Sequence, residues 1–579
     1  MLRGKRLSIG LLALSLMILF SFTASAATAF HGCWPYLVPP QGHFNTFATN
    51  NINLGMYWDL MEQPMGIYYW KTDDWMKLLA VDWDLLPEDN PDTFRVYLRQ
   101  GVKWHDGSDF TAKDVLSTFY LGYLFNWAVW NYVDKVEAVD DFTVDFHMDR
   151  PSSVVPRYIL RERIRAYSVY GKYYEELTDL LAAGKDTESA EIKQLKVAFS
   201  QYQPKTIIGT GPYTLNPNDL TEAAAEIKRF PGYWDADKIK FDVIKVYNGE
   251  TPTVTPLIMA KEADFATHGF PPATEKQFME MGIRIARPPI YSGPALFVNH
   301  NIYPLNRKEV RQAIAYAINK DENATVSLGE SALRQNYMSG LSDNILPIWV
   351  AEEDIAKLND YRYNPTKAAE ILTSIGFKKG ADGVWVDDKG KRMEYDLMVP
   401  QEFADWSAAA QNAASQMTNF GIKTIVRGVT HTQVPQEVWN SRFEMVIQGW
   451  GAGNPHPHFS YYQDLIAMNY PSGQGPGMNF PLVQQTEQFG EIDLQDLVIA
   501  TADGFDGEAQ KADVTKLATV FNDLLPIIPL WERYGNNPVV DGVRATNFPG
   551  DDHVAWGNSP YSDNTVAIFL LQGLIDPVK

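Results

Sequence analysis

Strand-like and helix-like segments alternate along the whole chain, and that alternation constrains the fold more than any other feature. Phe94 to Leu98 reads as a strand, because apolar and polar residues alternate there. Thr111 and Asp114 form a capping box that opens a helix through Val115 and Phe119. A second helix is written in Val310, Ala313, Ile314, Ala317 and Ile318, whose spacing of three and four puts them on one face. A third starts at Asn364-Pro365, buries Ala368, Ile371, Leu372 and Ile375, and stops at Gly376. Val384-Trp385-Val386 and Met393-Glu394-Tyr395 flank a turn and read as a β-hairpin. Asp405 caps a further helix ending at Gly421, and the charged stretch from Gly184 to Glu191 is a surface turn between helices. No short repeat or low-complexity linker interrupts the pattern. It is that of an α/β protein, and 579 residues suffice for two to four domains.

The opening residues follow another logic. Arg3, Lys5 and Arg6 precede an almost wholly apolar run from Leu7 to Phe22, and Ala24-Ser25-Ala26 closes it with small residues. This is the pattern of a cleavable signal peptide, residues 1–26, cut after Ala26. An uncleaved anchor is the alternative, but the run is short for a membrane span, which needs about 18 apolar residues or more. A lipid-modified Cys33 would need a Leu and a small residue that Phe30-His31 does not supply. The expectation is an exported, soluble, extracytoplasmic (periplasmic) protein. Cys33 is the only cysteine, which excludes internal disulfides and any multi-cysteine metal site. Acids outnumber bases 71 to 50, and no Lys/Arg block stands out after residue 6, so no nucleic-acid partner is expected.

Catalytic signatures are missing. Neither Gly-x-Ser-x-Gly, His-Glu-x-x-His nor a phosphate loop occurs. Ser472 to Gly477 is glycine-rich but does not lie between a strand and a helix, and reads as a mobile loop. His456-Pro457-His458 offers two imidazoles without a third ligand close in sequence, and reads as loop packing. The acid pairs Asp73-Asp74, Asp140-Asp141 and Asp387-Asp388 fall in turns, where solvated carboxylates are expected; an exported glycosidase using two of the acids is the enzymatic alternative.

The run from Phe94 to Val115, with Gly101, Lys103-Trp104-His105-Asp106-Gly107 and Thr111-Ala112-Lys113-Asp114, resembles the signature of the extracellular solute-binding proteins, family 5. Further matches follow in order: Gly209-Thr210-Gly211-Pro212-Tyr213, Asn299, Pro304-Leu305, Val310 to Ile318, Asn364-Pro365, Gly376-Phe377, Gly383-Val384-Trp385 and Pro526 to Leu530. The resemblance implies a non-enzymatic receptor without cofactor or metal, monomeric, working with an ABC permease in the inner membrane. It implies a two-lobed periplasmic-binding-protein fold of type II with a hinge. Residues 27–66, 208–291 and 536–579 would form the first lobe, 67–207 an extra domain on it, and 292–535 the second lobe. Trp104 and Asp106 would hold the fold, and Trp104, Trp234 and Trp385 belong to the core.

Peptide receptors that this chain resembles carry a Gly-Trp followed by an Asp for the peptide amino terminus. Here Gly449-Trp450 is kept, but the Asp position falls on Gly453 or Asn454. A buried ammonium without a counter-charge costs several kcal/mol, about 3–5 by analogy with a broken buried ion pair. That favours a neutral polyhydroxylated ligand, an oligosaccharide, with a peptide as the alternative and a metal chelate on His456 and His458 as a third reading. The chain holds 16 Trp, 29 Tyr and 29 Phe, which supply rings for sugar faces. One stacked ring removing roughly 100 Å² of apolar surface is worth about 2.5 kcal/mol. The expected ligand contacts are Trp58, Trp406, Trp450 and Trp531 for stacking, and Asn45, Asn51, Asn248, Asn454, His456 and Tyr534 for hydroxyls.

Overall fold

A computed structural model describes residues 27–39, 42–469 and 477–578. The leader, and all but Gly477 of the loop from Ser472, lie outside the described residues. Three larger sheets organise the chain. One joins Ala29–Trp34 in parallel to Val243–Asn248, then antiparallel to Ala224–Arg229 and Tyr213–Leu220. A second is wholly antiparallel, in the order Ala80–Leu85, Thr93–Leu98, Thr143–Met148, Val133–Asp140. The third has five strands, Lys423–Val429, Glu394–Pro400, Met445–Trp450, Gly293–Val298 and Ile527–Pro529.

The third sheet is buried on both faces. Along Gly293–Val298, Leu296 and Val298 enter one core, while Ala295 and Phe297 enter another. Period-two alternation sends successive side chains to opposite faces, so a continuously apolar strand marks a sheet covered on both sides.

The two most specific sequence motifs dock on each other. His105 Nδ1 accepts from Gly209 N–H at 3.1 Å and Nε2 donates to the Gly211 carbonyl at 3.0 Å. Burial holds this imidazole down, to about 4, so it is neutral with its proton on Nε2. Gly209 and Gly211 run so close to the chain at Leu60–Met61 that a Cβ would lie 1.9 Å and 2.4 Å from carbonyl oxygens there. Trp104 is buried beneath this corner, and Asp106 accepts from Ser108 and Ser168.

Helices form where the caps stand. Ala112–Tyr123 carries the capping box of Thr111 and Asp114, and Pro365–Ser374 starts on Asn364, whose Oδ1 accepts from Lys367 N–H at 2.9 Å. Lys308–Ala317 follows the apolar spacing from Val310. Three local expectations are corrected. The hairpin is shorter than expected: Val386 bridges Arg392, with Asp387 N–H donating to Lys391 O at 2.9 Å and Met393 N–H to Trp385 O at 2.8 Å, while Glu394–Pro400 goes on into the five-stranded sheet. Asp387 is buried rather than solvated, because Oδ1 accepts from Lys389 and Lys391 N–H and so closes the turn. Asp405 does not cap its helix: Ala404–Phe420 starts one residue earlier, which places the carboxylate in the first turn.

The two lobes are joined by paired crossing segments. Ile290 N–H donates to Arg533 O at 3.1 Å, Arg533 N–H to Ser292 O at 2.8 Å, and Gly535 N–H to Pro288 O at 2.8 Å. Arg284–Ala286 continues this pairing with Asn537–Val539. Arg533 therefore sits on the hinge itself.

Candidate functional site

Two chambers lie between the lobes and share a wall made by Trp34, Asn53 and Tyr561. The larger has a volume of about 540 Å³ and the smaller about 260 Å³. Trp34 ends the first strand and meets Tyr561 edge-on at 6.0 Å.

The larger chamber is lined by arginines from the segment 157–163. Arg157 and Arg161 pair with Asp563 at 2.7 and 3.2 Å, and Arg161 also pairs with Asp59 at 2.8 Å. Burial pushes the Asp563 carboxyl up, but the two guanidinium groups outweigh it and hold it below the usual carboxylate range. Arg157 Nε also donates to Asn454 Oδ1 at 3.0 Å, linking the first lobe's side of the cleft to the second. Arg163 differs: its guanidinium lies over the Trp58 ring at 4.9 Å and has no ion pair among the described residues.

The smaller chamber gathers Glu250, Thr251, His268, Asp405 and Arg533 among Tyr36, Phe403, Trp406 and His431. Glu250 caps the helix Thr251–Met259. His268 Nε2 donates to the Gly249 carbonyl at 2.7 Å, and burial holds its pKa near 4, so Nδ1 offers a lone pair. Asp405 Oδ1 accepts from Trp406 N–H, while Oδ2 lies 3.8 Å from Arg533 Nη1. Burial raises the Asp405 carboxyl and pushes Glu250 up to about 7, with Asp405 as the second cause for Glu250. Tyr36 from one lobe stacks on His431 from the other at 4.6 Å.

Six buried polar atoms lining this small chamber make no hydrogen bond within the protein: Trp34 Nε1, Tyr36 Oη, Thr251 Oγ1, His268 Nδ1, Asp405 Oδ2 and Arg533 Nε. No residue that lines only the larger chamber carries such an atom. Buried polar groups are nearly always satisfied, so a cluster of exceptions on one cavity wall marks a place built for a guest.

Closure depends on a glycine. A Cβ on Gly269 would lie 2.6–2.9 Å from the Asp405 carboxylate across the cleft. Gly269→Ala is expected to weaken ligand binding at least tenfold by holding the lobes apart, while leaving the thermal unfolding midpoint nearly unchanged. Calorimetric titration beside a melting curve checks both; unchanged affinity would rule out this contact as part of the bound state.

The expected ligand contacts divide sharply. Trp58 and Asn454 line the larger chamber and Trp406 the smaller. The other seven line neither chamber, and their side chains pack or bond within the protein. Trp450 and Trp531 are both 0% exposed; Trp450 Nε1 donates to Trp531 O, and Trp531 Nε1 to Asn323 Oδ1. Asn45 spends its amide on Phe199 and Tyr202 carbonyls, Asn51 on Ala48, and Asn248 on Leu37 and Glu222. His456 Nδ1 accepts from His458 N–H. His458 in turn is occupied by Tyr132, Tyr158 and Val498. Tyr534 stays at the hinge, its hydroxyl accepting from Asn344. Among the described residues no group of three His, Cys, Asp or Glu is placed to hold a metal.

Sequence reading missed Trp34, Tyr36, Glu250, His268, Tyr561 and the arginines. One signal was there: residues 157–165 hold four arginines, a density that the absence of a lysine-rich block concealed.

The family model for bacterial extracellular solute-binding proteins, family 5 Middle, matches residues 75–470. The chain belongs to this family. Family 5 proteins are transport receptors rather than enzymes. The glutathione-binding protein GsiB of Pectobacterium atrosepticum is 26% identical over 405 residues, 66% of this chain and 68% of that protein. Its counterpart in Shigella flexneri serotype 5b is 23% identical over 394 residues, 66% and 67% of the two chains. In structure, a periplasmic oligopeptide-binding protein of Thermotoga maritima superposes with a TM-score of 0.77 at 20% identity, covering 95% of this chain and 99% of that one. The same protein with bound mannohexaose gives 0.74 at 19%, covering 96% and 99%. The Bacillus subtilis oligopeptide-binding protein AppA, in complex with a nonapeptide, gives 0.70 at 15%, covering 95% and 99%. These likenesses establish the two-lobed periplasmic-binding-protein fold for this family 5 protein.

Proposed function

We propose that this family 5 protein is the exported receptor of an ABC importer and that its ligand is a short peptide. The supporting observation is the small chamber, where two carboxylates, Glu250 and Asp405, stand against one guanidinium, Arg533, with unpartnered polar atoms around them. With a neutral sugar Glu250, raised to about 7, stays partly protonated and the second carboxyl has no cationic partner, whereas an ammonium would pair with it in its charged form. One such pair at 4 Å is worth about 4 kcal/mol in a partly solvated site, against about 2.5 kcal/mol for a stacked ring. Two of the four indoles expected to stack, Trp450 and Trp531, are packed in cores, which removes much of the case for a sugar. The relatives named for glutathione and oligopeptide binding agree with the peptide reading.

The second reading, a neutral oligosaccharide, is favoured by the aromatic walls Trp34, Trp58 and Trp406 and by the mannohexaose bound to the Thermotoga protein. Titration calorimetry of the mature protein with di- to hexapeptides and with α- and β-linked oligosaccharides separates them. Micromolar or tighter binding of peptides with silent sugars is expected; the reverse result transfers the assignment to sugars.

Residues 27–66, 208–291 and 536–579 as first lobe, 67–207 as extra domain and 292–535 as second lobe belong to the same proposal, supported by the three sheets, each of which draws its strands from one of these sets. Contacts from both lobes favour the closed state, and a ligand shifts the balance only through its preference for that state. The closed, monomeric form would then be what an inner-membrane permease recognises.

A further inference from the structure

We propose that the protein carries a closure device apart from hinge and ligand: a clasp in which Tyr132, Ser152, Ser153 and Tyr158 of the extra domain hold His458 and residues 502–510 of the second lobe, and which lets go as the medium turns acid. It goes beyond the ligand assignment and holds for a peptide or a sugar alike. Of these residues Tyr158 alone also lines a chamber, the larger.

The clasp is built from backbone and side chains together. Ser153 N–H donates to Gly504 O at 3.1 Å and Gly504 N–H to Pro151 O at 2.8 Å, so a short bridge crosses from one body to the other. Ser152, 0% exposed, donates its hydroxyl to Ala502 O at 2.6 Å. Gln510 Nε2 donates to Ser153 Oγ at 2.9 Å and to Gly504 O at 2.9 Å. Ser152 and Ala502 are 350 positions apart, so no local element requires this pairing. It forms where the two bodies meet.

His458 stands at its centre. Nδ1 donates to Val498 O at 3.0 Å within its own lobe, which leaves Nε2 as acceptor for the Tyr132 and Tyr158 hydroxyls, at 3.1 and 3.2 Å, from the extra domain. The buried ring has neutral neighbours: Tyr132 and Tyr158, whose phenols burial keeps protonated, Tyr462, and His456, which accepts from His458 N–H and meets Trp349 edge-on at 4.5 Å. The Arg150–Asp503 pair, 3.8 Å apart and half-exposed, lies near Tyr132. Among the described residues no carboxylate makes an ion pair with either imidazole. A proton on His458 is therefore a buried charge without a counter-ion, and burial holds its pKa near 4; burial lowers His456 in the same direction.

Opening the clasp lifts both phenols off the ring and returns it to water, where imidazole titrates near about 6.5. The closed state is thus favoured in full above about 6.5 and loses about tenfold per pH unit below it, roughly thirtyfold between pH 7.5 and 5 for this one ring. The cleft acts with the opposite sign, because burial raises Glu250 to about 7 and closure there takes up a proton as pH falls. The difference between the native protein and His458→Gln isolates the clasp.

Spin labels at Lys193→Cys on the extra domain and Lys357→Cys on the second lobe, both exposed, report the ratio of closed to open molecules, and the buried Cys33 stays unlabelled. Whichever peptide or oligosaccharide of the panel above binds is added until the ratio is near one at pH 7.5, and the pH is then taken to 5. The native ratio is expected to fall at least tenfold further than that of His458→Gln. A second readout needs no variant: hydrogen exchange at the imidazole C2 position, followed by mass spectrometry, should place the His458 midpoint at least one pH unit lower with that ligand saturating than without it. Equal pH dependence in the native protein and His458→Gln, or a His458 midpoint unmoved by ligand, overturns the clasp. Silent peptides beside active sugars would overturn the peptide assignment and leave the clasp standing.

Discussion

Asp563→Asn is expected to destabilise the protein by about 3–5 kcal/mol. The carboxylate is 0% exposed and lies between Arg157 and Arg161, while also accepting from Trp70 Nε1 at 2.7 Å and from Tyr68 N–H at 3.1 Å. An amide keeps the shape but not the charge, leaving Arg157 without its counter-ion and Arg161 with Asp59 alone. The loss is large because the remaining guanidinium groups stay buried. An exposed pair gives the contrast: Lys193 and Glu188, 56% and 84% exposed, are worth about 0–1 kcal/mol, and Lys193→Ala should shift the urea midpoint barely at all. Urea unfolding followed by tryptophan fluorescence compares the two, and an Asp563→Asn midpoint equal to that of Lys193→Ala would refute the network's role. Arg157 and Arg161 line the larger chamber, so the same variant should also loosen ligand binding.

The second large effect concerns Trp531. Replacing it with alanine is expected to cost about 3–5 kcal/mol, the usual range for emptying a fully buried aromatic site. Its ring belongs to the same core as Leu296, Ala324 and Met417, and its loss also strips Asn323 Oδ1 of its donor. Had the indole been a stacking platform, the same substitution would spare stability and abolish binding. The expected pattern is the reverse: a lowered unfolding midpoint, with affinity per folded molecule within a few-fold of the native protein. A native midpoint with lost affinity would restore Trp531 to the ligand. Trp34, which lines both chambers, is where a loss of affinity from removing an indole is expected.

These two cases show where sequence reading reaches and where it ends. The capping box at Thr111 and Asp114, the cap at Asn364 and the apolar face of Lys308–Ala317 were legible because each depends on residues within a turn or two of one another. The ordered motifs from Phe94 to Leu530 placed the chain in its family for a related reason: they are local corners, and His105 against Gly209 and Gly211 shows two of them fitting together. Asp405 was visible only as a residue near a helix start; nothing nearby in sequence marks it as the partner of Gly269, Glu250 and Arg533.

What the sequence alone determined was the α/β build, the family and the inventory of rings and charges. What only the tertiary structure decided was which rings and charges face the cleft. Trp450 ends a strand whose sheet is covered on both sides, so alternation cannot tell core from cavity there. The charge of the small chamber is assembled from residues 250, 405 and 533, brought together when two crossing segments close one lobe on the other. Short-range stereochemistry is encoded within each segment; the sign of a cavity is a sum over distant segments and exists only once they have met.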